Sequence, residues 1–354
     1  MNKLFIDPSN IDQSLAKQAA LKLSEGGIVA LPTETVYGLA ARADNKESVD
    51  KLYALKERPR DKPFSFALGS VEEVFKSYFS TFAPFVHRLI EKFWPGPLTL
   101  IYYTNDDKKV GVRVPQHETI AQILQNLGVA VCLPSANLSG QKESVTAEEV
   151  ERVFDSKIDL IVDSGPCPLA KASTILDLTE KPFKIIRQGA VSEEDIAKVF
   201  IKKRVLFVCT GNSCRSPMAQ YLLEKYLSES KLYFKDRYEI ISRGISAFEG
   251  SKASKEVVEI LKDKEDLDLR GFSAKALDRA TVLSSDLIFT MEERQSEYIL
   301  RSMPTAIGRV FHLNKFLPAN LEKDIPDPIG QPKAVYERVY LLIKEAILEL
   351  KDWV

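Results

Sequence analysis

The chain has 354 residues, of which 45% are hydrophobic and 28% are charged, and its formal net charge is −1. This length exceeds that of a typical domain with one hydrophobic core, so two domains are predicted. The balanced charge excludes a general attraction to nucleic acid, and no apolar run reaches the roughly 18–20 residues needed to cross a bilayer. Four unevenly spaced cysteines and three histidines, without a C-x-x-C pair, predict neither a disulfide framework nor a dedicated zinc site. We expect a cytoplasmic protein without membrane partners.

Residues 1–200 mix strands and helices at irregular spacings, which predicts an α/β domain with a mixed, twisted sheet. The predicted strands are 27–31, 98–103, 110–114, 129–133 and 160–162. The predicted helices are 12–24, 46–55, 83–93, 119–126 and 147–154. A helix-like segment beginning at Ser192 runs into a new strand, so we place the domain boundary between residues 200 and 201.

Residues 201–354 alternate strands with helices, a pattern typical of a doubly wound parallel sheet. The predicted strands are 204–208, 238–242 and 286–290, and the predicted helices are 218–227, 255–262 and 332–350. Pro217 is predicted at a first helical position. Ligands of such sheets bind beyond the carboxyl ends of the strands, so Cys209, which ends the first strand, marks the expected site.

Four residue clusters stand out in the first domain, and none of them is a Walker loop or a G-x-G-x-x-G motif. They are Leu31-Pro-Thr-Glu-Thr-Val-Tyr-Gly-Leu39, Leu55-Lys-Glu-Arg-Pro-Arg-Asp-Lys-Pro-Phe64, Val112-Arg-Val-Pro115 and Leu133-Pro-Ser-Ala-Asn-Leu-Ser139. The cations of the second cluster suit a polyphosphate, or they form a solvated charged turn. Arg113 lies among apolar neighbours and therefore needs an anionic partner, either a structural carboxylate or a ligand carboxylate. Ser135 and Asn137 could cap a helix or contact phosphate.

Together, and in this order, these clusters resemble the YrdC-type threonylcarbamoyl-adenylate synthase family over about residues 10–195. Further motifs of the resemblance are Trp94-Pro-Gly-Pro97, which we interpret as a turn joining a helix to a strand, and Ser173-Thr-Ile175. The resemblance implies an enzyme that joins L-threonine, bicarbonate and ATP into threonylcarbamoyl-AMP and pyrophosphate. Mg²⁺ is expected on the phosphates, and tRNA is reached only through a downstream transferase.

The resemblance also implies roles for individual residues. It implies threonine binding by Thr35, Arg113 and Ser173. It implies ATP binding by Arg58, Lys62, Ser135, Ser144 and Arg187, with Lys56 and Asn137 lining the same pocket.

Cys209 and Arg215 stand in a C-x5-R spacing between a strand and a helix. A phosphate ester dianion repels nucleophiles, so the attacking thiolate needs a lowered pKa and a positively charged cradle. Arg215 would hold two phosphate oxygens in a fork, and Ser216 would donate a hydrogen bond to the Cys209 sulfur. Asn212 tolerates the left-handed backbone that such a loop requires. The alternative is a buried structural cysteine with Arg215 at the surface.

From Arg204 to Val354 the chain resembles the low-molecular-weight protein tyrosine phosphatase family, whose signature stands here as Cys209-Thr-Gly-Asn-Ser-Cys-Arg-Ser-Pro217. The resemblance implies that Asp327, in the Asp-Pro pair, is the general acid. It also implies that Cys214 can form a protective disulfide with the nucleophile, although simple packing is an equal alternative. The small Ser213 and the non-aromatic Ile329 favour phosphoarginine over phosphotyrosine as the phosphorylated protein substrate.

Each domain has an alternative interpretation without catalysis. The first domain could be an RNA-binding module, but its Lys56-x-Arg58 and Ser135-x-Asn137 sets are intact and it lacks a basic stripe with aromatics. The second could be a phosphate-sensing scaffold, but it retains the complete nucleophile, arginine and acid set. The sequence therefore predicts a bifunctional enzyme, a nucleotidyltransferase of tRNA processing joined to a protein phosphatase.

Overall fold

The computed structural model describes residues 2–78, 83–180, 183–230, 234–318 and 324–353. The chain divides into two compact units, one formed by residues 1–81 and 89–196 and the other by residues 82–88 and 197–354. The boundary between residues 200 and 201 stays a prediction. Within the described ranges, no helix combines the length and the apolar character that a membrane span requires.

The first unit is built on a ten-stranded mixed sheet. Its strands are β1 (Asn2–Phe5), β2 (Val29–Leu31), β3 (Gly38–Arg42), β4 (Phe66–Ala67), β5 (Leu98–Tyr103), β6 (Lys109–Arg113), β7 (Val131–Cys132), β8 (Leu160–Asp163), β9 (Thr174–Asp177) and β10 (Lys184–Arg187). Their order is β1-β8-β2-β3-β7-β4-β6-β5-β9-β10. Strand β5 pairs parallel with β9 and antiparallel with β6, so the predicted mixed sheet is confirmed.

The described part of the first 201 residues contains seven helices, and side chains cap the free N–H groups of several of them. They are α1 (Gln13–Ser24), α2 (Lys46–Leu55), α3 (Val71–Ser77), α4 (Pro84–Phe93), α5 (Glu118–Leu127), α6 (Ala147–Phe154) and α7 (Glu193–Ile201). Asp12, Asn45, Ser70 and Thr146 each accept a hydrogen bond from a backbone N–H in the first turn. The five helices predicted from Asp12 to Phe154 are confirmed, two of them with the same ends, whereas α3 was missed.

Two predicted strands of this unit are shorter than expected. The strand predicted at 27–31 begins only at Val29, because the N–H groups of Gly27 and Ile28 bond to the Lys22 carbonyl and the Asp159 carboxylate. The strand predicted at 129–133 is reduced to the two residues of β7. Strands β1, β3, β4, β9 and β10 were missed, since segments of two to five residues carry too little periodicity.

Both faces of the ten-stranded sheet are covered by buried side chains. Val29 and Leu31 of β2 belong to one hydrophobic cluster, while Ala30 between them belongs to another. Successive strand residues point to opposite faces, so each cluster packs on its own side of the sheet. The polar residues that carry the site must therefore lie at strand ends and in loops.

The second unit is built on a four-stranded sheet. Its strands are β11 (Lys203–Cys209), β12 (Tyr238–Gly244), β13 (Leu287–Thr290) and β14 (Val310–His312). The order is β12-β11-β13-β14 and every pair is parallel. The helices of the remaining chain are α8 (Arg215–Ser230), α9 (Phe234–Arg237), α10 (Lys255–Glu265), α11 (Arg279–Ser284), α12 (Glu293–Ser302) and α13 (Lys333–Trp353). Alternate residues of β11 enter two separate hydrophobic clusters, and the predicted doubly wound parallel sheet is confirmed.

One prediction about α8 is wrong. The helix begins at Arg215, so Pro217 is its third residue rather than its first. The N–H groups of the first helical turn have no acceptor within the helix. Proline is tolerated there because the backbone N–H that it lacks would have no partner in the helix. Arg215 consequently belongs to the helix and not to the preceding loop.

Glu265, the last residue of α10, is a buried carboxylate that joins three helices of the second unit and is only 5% exposed. Oε1 accepts hydrogen bonds from Tyr226 (3.0 Å), from Tyr340 and from Lys344 Nζ (2.7 Å), and Oε2 accepts one from Lys225 Nζ (2.7 Å). Burial raises the pKa of Glu265, but the hydrogen bonds from the lysines and tyrosines outweigh it. The net pKa falls from 4.5 to about 2.

This carboxylate predicts an acid-sensitive contribution to stability. Because its folded-state pKa is depressed, the contribution is complete above pH 4.5 and is lost as pH falls towards 2. A depression of this size is worth roughly 3 kcal/mol at neutral pH. Scanning calorimetry should therefore show Glu265→Gln unfolding at a lower temperature than the wild type at pH 7, with the difference shrinking below pH 4.5. Glu345→Gln, an exposed change on α13, is the matched control, and a difference independent of pH would contradict the assignment.

Two candidate active sites

A cavity of about 90 Å³ opens at the strand ends and loops of the first unit. Five residues predicted from sequence line it together, although they come from four distant parts of the chain: Arg58, Arg113, Ser135, Ser173 and Arg187. The rest of the lining contains Phe64, Phe66 and Thr99. Cationic, hydroxyl and aromatic side chains thus line one space, a composition suited to a ligand with both anionic and planar parts.

Arg113, at the end of β6, is held on two sides by the protein. Its Nε donates to the Gly96 carbonyl (3.0 Å), and its Nη2 donates to Thr35 Oγ1 (2.9 Å). Nη2 also lies 2.8 Å from Glu34 Oε1, and both charged side chains are buried. Of the two partners that the sequence left open for Arg113, the structure supplies the structural carboxylate.

Thr35 lies behind Arg113 and is fully buried. Thr33 Oγ1 donates to the Val36 carbonyl (2.7 Å) and lies 2.8 Å from Thr35 Oγ1. Because the Thr33 proton is used on Val36, the Thr35 hydroxyl must donate to Thr33 and accept from Arg113. This network fixes the orientation of the Arg113 guanidinium at the cavity wall.

Ser173 and Arg187 also line the cavity and contact each other. Arg187 Nε donates to the Ser173 carbonyl (3.1 Å) and its Nη2 to Ser173 Oγ (3.1 Å), while Ser173 Oγ lies 3.0 Å from Thr99 Oγ1. Burial lowers the pKa of Arg187. Thr99 was not singled out from the sequence, although it ends the Trp-Pro-Gly-Pro-x-Thr motif.

Lys56 is buried beneath the loop that carries Ser135 and Asn137. Its Nζ donates to the Ser135 carbonyl, the Asn137 carbonyl (2.6 Å) and Asn137 Oδ1 (3.2 Å). Burial and then the neighbouring Arg58 lower the pKa of Lys56 to about 8. The solvated turn is therefore wrong for Lys56. Helix capping by this loop is also wrong, since Thr146 caps α6.

Two other predicted ATP-binding residues, Ser144 and Lys62, do not line the cavity. Ser144 is buried and donates to the Ala136 carbonyl (2.6 Å), which puts it behind the cavity lining. The Lys62 side chain is exposed, and its carbonyl accepts from Arg58 Nε (2.8 Å). The cavity lining thus contains five of the ten residues predicted for this site, and the binding roles stay predictions.

In the second unit, Cys209 ends β11 and is enclosed by the loop that follows it. Its Sγ lies 2.9 Å from Ser216 Oγ and accepts from the Asn212 N–H (3.2 Å). Asn212 has a φ of 52°, the left-handed conformation that the sequence predicted. Its Nδ2 donates to Ser216 Oγ (3.0 Å) and Ser242 Oγ (3.0 Å), so the curl of the loop is tied to α8 and β12.

Gly244, at the end of β12, allows this loop to approach closely. A Cβ at this position would lie 2.7 Å from the Thr210 carbonyl oxygen and 2.8 Å from the Asn212 nitrogen. Both atoms belong to the backbone and cannot move aside easily. A side chain at residue 244 would therefore displace the loop around Cys209.

Arg215 is 1% exposed, which excludes the alternative that placed it at the surface. Its Nη1 donates to Glu292 and to the Ile325 carbonyl (3.0 Å), and its Nη2 donates to Asp327 Oδ2 (2.5 Å). The predicted general acid therefore lies beside the predicted phosphate-binding arginine, 112 residues away in sequence. Asp327 is one-third exposed and can meet an entering substrate.

Glu292 is a residue of this site that the sequence analysis missed. It precedes α12, takes part in its capping box with Gln295, and also binds Arg294. Burial raises the pKa of Glu292, but hydrogen bonds from Arg294 and Arg215 outweigh it and the net pKa is lowered. A single acidic residue at a predicted strand end offers no pattern that would have identified it.

The four cysteines are free, and burial is their common feature. Burial raises the pKa of Cys132 to about 12 and that of Cys167 to about 11. It also raises the pKa of Cys214, whose Sγ lies 3.3 Å from Ser254 Oγ and 3.6 Å from Ser213 Oγ. Within the described ranges, no group of three or more His, Cys, Asp or Glu side chains is arranged to hold a metal ion.

Comparisons with known proteins match the two halves of the chain separately. The Sua5–YciO–YrdC family model, described as telomere recombination, matches residues 22–189. The low molecular weight phosphotyrosine protein phosphatase model matches residues 204–353.

Individual relatives support the first match. The threonylcarbamoyl-AMP synthase of Pyrococcus abyssi is 32% identical over 229 residues, which cover 62% of this chain and 67% of that protein. The Bacillus subtilis threonylcarbamoyl-AMP synthase is 34% identical over 201 residues, which cover 54% of this chain but only 58% of that protein. A crystal structure of P. abyssi Sua5 complexed with L-threonine has the same fold, with a TM-score of 0.54, 23% identity, and coverage of 88% of this chain and 99% of that chain. The chain therefore belongs to the threonylcarbamoyl-AMP synthase family, and it carries a C-terminal domain of the low molecular weight phosphotyrosine protein phosphatase family.

Proposed function

We propose that the first unit forms threonylcarbamoyl-AMP and pyrophosphate from L-threonine, bicarbonate and ATP, for threonylcarbamoyladenosine modification of tRNA. The observation that carries the proposal is the shared cavity, whose lining contains Arg113, Ser173 and Arg187 together with Arg58 and Ser135. The names of the similar synthases support the same reaction. We also propose a cytoplasmic location, which four free cysteines fit.

The proposed chemistry needs positioning and charge more than a protein nucleophile. The threonine nitrogen adds to bicarbonate carbon with loss of water, and a carbamate oxygen then attacks the α-phosphorus of ATP, so that pyrophosphate leaves. Arg113, oriented by Thr35, would hold the threonine carboxylate, with Ser173 on the same lining. Arg58 and Arg187 would offset the growing negative charge on the leaving phosphates. Mg²⁺ is expected on those phosphates.

Release of pyrophosphate tests this proposal. The full-length protein with ATP should release pyrophosphate only when both threonine and bicarbonate are present. Omission of either one, or replacement of L-threonine by D-threonine, is the matched control. A folded protein that releases no pyrophosphate with all three substrates would refute the synthase and favour the RNA-binding alternative.

We propose that the second unit hydrolyses phosphoarginine in proteins through a phosphocysteine intermediate. The Cys209 thiolate attacks phosphorus, and Asp327 protonates the departing guanidine nitrogen as the phosphorus–nitrogen bond breaks. Asp327 then takes a proton from water, which attacks the phosphocysteine and releases phosphate. The contact between Arg215 and Asp327 supports this assignment, because it places the acid next to the expected phosphate position.

Ser213 carries the choice of phosphoarginine over phosphotyrosine. It is a partly exposed hydroxyl residue beside Cys214, and its small size leaves room for a planar guanidine. Ser213→Ile should lower kcat/KM for a phosphoarginine peptide by about tenfold or more relative to a phosphotyrosine peptide of the same sequence. Parallel kinetics on the two peptides check this. Ser251→Ile, in the loop after β12, is the control, and an unchanged preference would remove the substrate argument.

A further inference from the structure

Glu34 is a buried carboxylate that the proposed reaction leaves without a role. It is 5% exposed, and in the described part of the chain neither of its oxygens accepts a hydrogen bond. Its Oε1 lies 2.8 Å from Arg113 Nη2. A buried carboxylate without hydrogen bonds is unfavourable unless an opposite charge lies next to it. Arg113 therefore provides the charge that makes burial of Glu34 tolerable.

A second titratable group near Glu34 does not supply that charge. His117 precedes α5, and burial lowers its pKa below the usual 6.5. At neutral pH its imidazole is therefore mainly uncharged. His117 therefore does not offset the negative charge of Glu34.

The other groups that hold Arg113 are neutral. They are the Gly96 carbonyl and the Thr35 hydroxyl. They orient the guanidinium without reducing its charge, whereas Glu34 cancels that charge before any ligand arrives. A carboxylate that enters the cavity must share Arg113 with a carboxylate already present, and it gains less than it would from a free arginine.

We propose that Glu34 is a resident counter-ion of Arg113 that lowers the affinity of the cavity for carboxylates. It weakens the binding of every carboxylate, so that only a ligand with further contacts, such as a hydroxyl group, is retained. The inference rests on the proposed function in taking a carboxylate as the ligand of Arg113. In this role Glu34 weakens the binding of a carboxylate, whereas a residue that merely orients Arg113 would strengthen it.

Calorimetric titration of the full-length protein separates these two effects. Glu34→Gln keeps the shape of the side chain and removes its charge, so L-threonine should bind about tenfold more tightly, which corresponds to ~1.4 kcal/mol. L-alanine, which has the same carboxylate and ammonium but no hydroxyl, should gain by a similar factor. Glu47→Gln, an exposed change in the first turn of α2, is the matched control. Weaker or unchanged binding in Glu34→Gln would overturn the proposal.

A stability measurement decides the proposal without any ligand. Arg113→Met leaves Glu34 buried beside no positive charge, so it should lower the melting temperature. Adding Glu34→Gln to Arg113→Met should recover part of that loss, because the uncompensated carboxylate is removed. No recovery in the double variant would overturn the proposal. If the double variant shows this recovery but the wild type releases no pyrophosphate, the proposed function alone is refuted.

Discussion

Replacing Cys209 with serine should abolish phosphatase turnover, with a loss of about 10⁴-fold or more in kcat. A serine hydroxyl at this position would be held by the same Asn212 N–H and Ser216 hydroxyl, so the loop should keep its shape. It would not ionise at neutral pH and could not form the phosphocysteine. The measurement is steady-state hydrolysis of a phosphoarginine peptide, with pyrophosphate release by the same preparation as the test of folding.

The control for this prediction is Cys167→Ala. Cys167 is buried in the first unit, and a raised thiol pKa keeps it protonated, so its removal should leave peptide hydrolysis unchanged. Residual turnover of Cys209→Ser close to the wild-type rate would refute the nucleophile. It would then favour the phosphate-sensing scaffold over the enzyme.

Replacing Arg113 with lysine should raise the KM for threonine by about 100-fold, with a smaller change in the KM for ATP. Lysine keeps a positive charge beside the buried Glu34, so the fold should be retained. It lacks the planar fork that reaches Gly96, Thr35 and a ligand together. Losing one partner of a buried, hydrogen-bonded charge pair costs roughly 2–5 kcal/mol, which sets this magnitude. Pyrophosphate release at varied threonine and fixed ATP checks it.

Arg152→Lys on the exposed part of α6 provides the matched control, since Arg152 bonds only within its own helix among the contacts described. Equal increases in the KM values for threonine and ATP would show that Arg113 maintains the cavity as a whole and does not act on threonine alone. An unchanged KM for threonine would remove Arg113 from the threonine site altogether.

Local pattern was sufficient for much of the fold. Strand β5 and helices α2 and α6 have the predicted ends, because long runs with clear periodicity and capping residues specify them locally. Strand β4 could not be found in this way. It has two residues, and it exists because Phe66 and Ala67 pair with both β6 and β7. Such strands are created by their neighbours rather than by their own sequence.

The same distinction applies to the two candidate sites. The sequence by itself determined the loop from Cys209 to Arg215, because strand, curl and helix start lie within a few residues and Asn212 supplies the required backbone conformation. Only the tertiary structure decided which anion Arg113 meets, and that Lys56 is buried beneath a loop about 80 residues away rather than exposed. Likewise, Arg215 meets Glu292 across 77 residues. The physical reason is that a buried charge is balanced by whatever group the sheet brings within a few ångströms. The order of the strands in the sheet depends on long-range pairing, which cannot be inferred from local residue spacing.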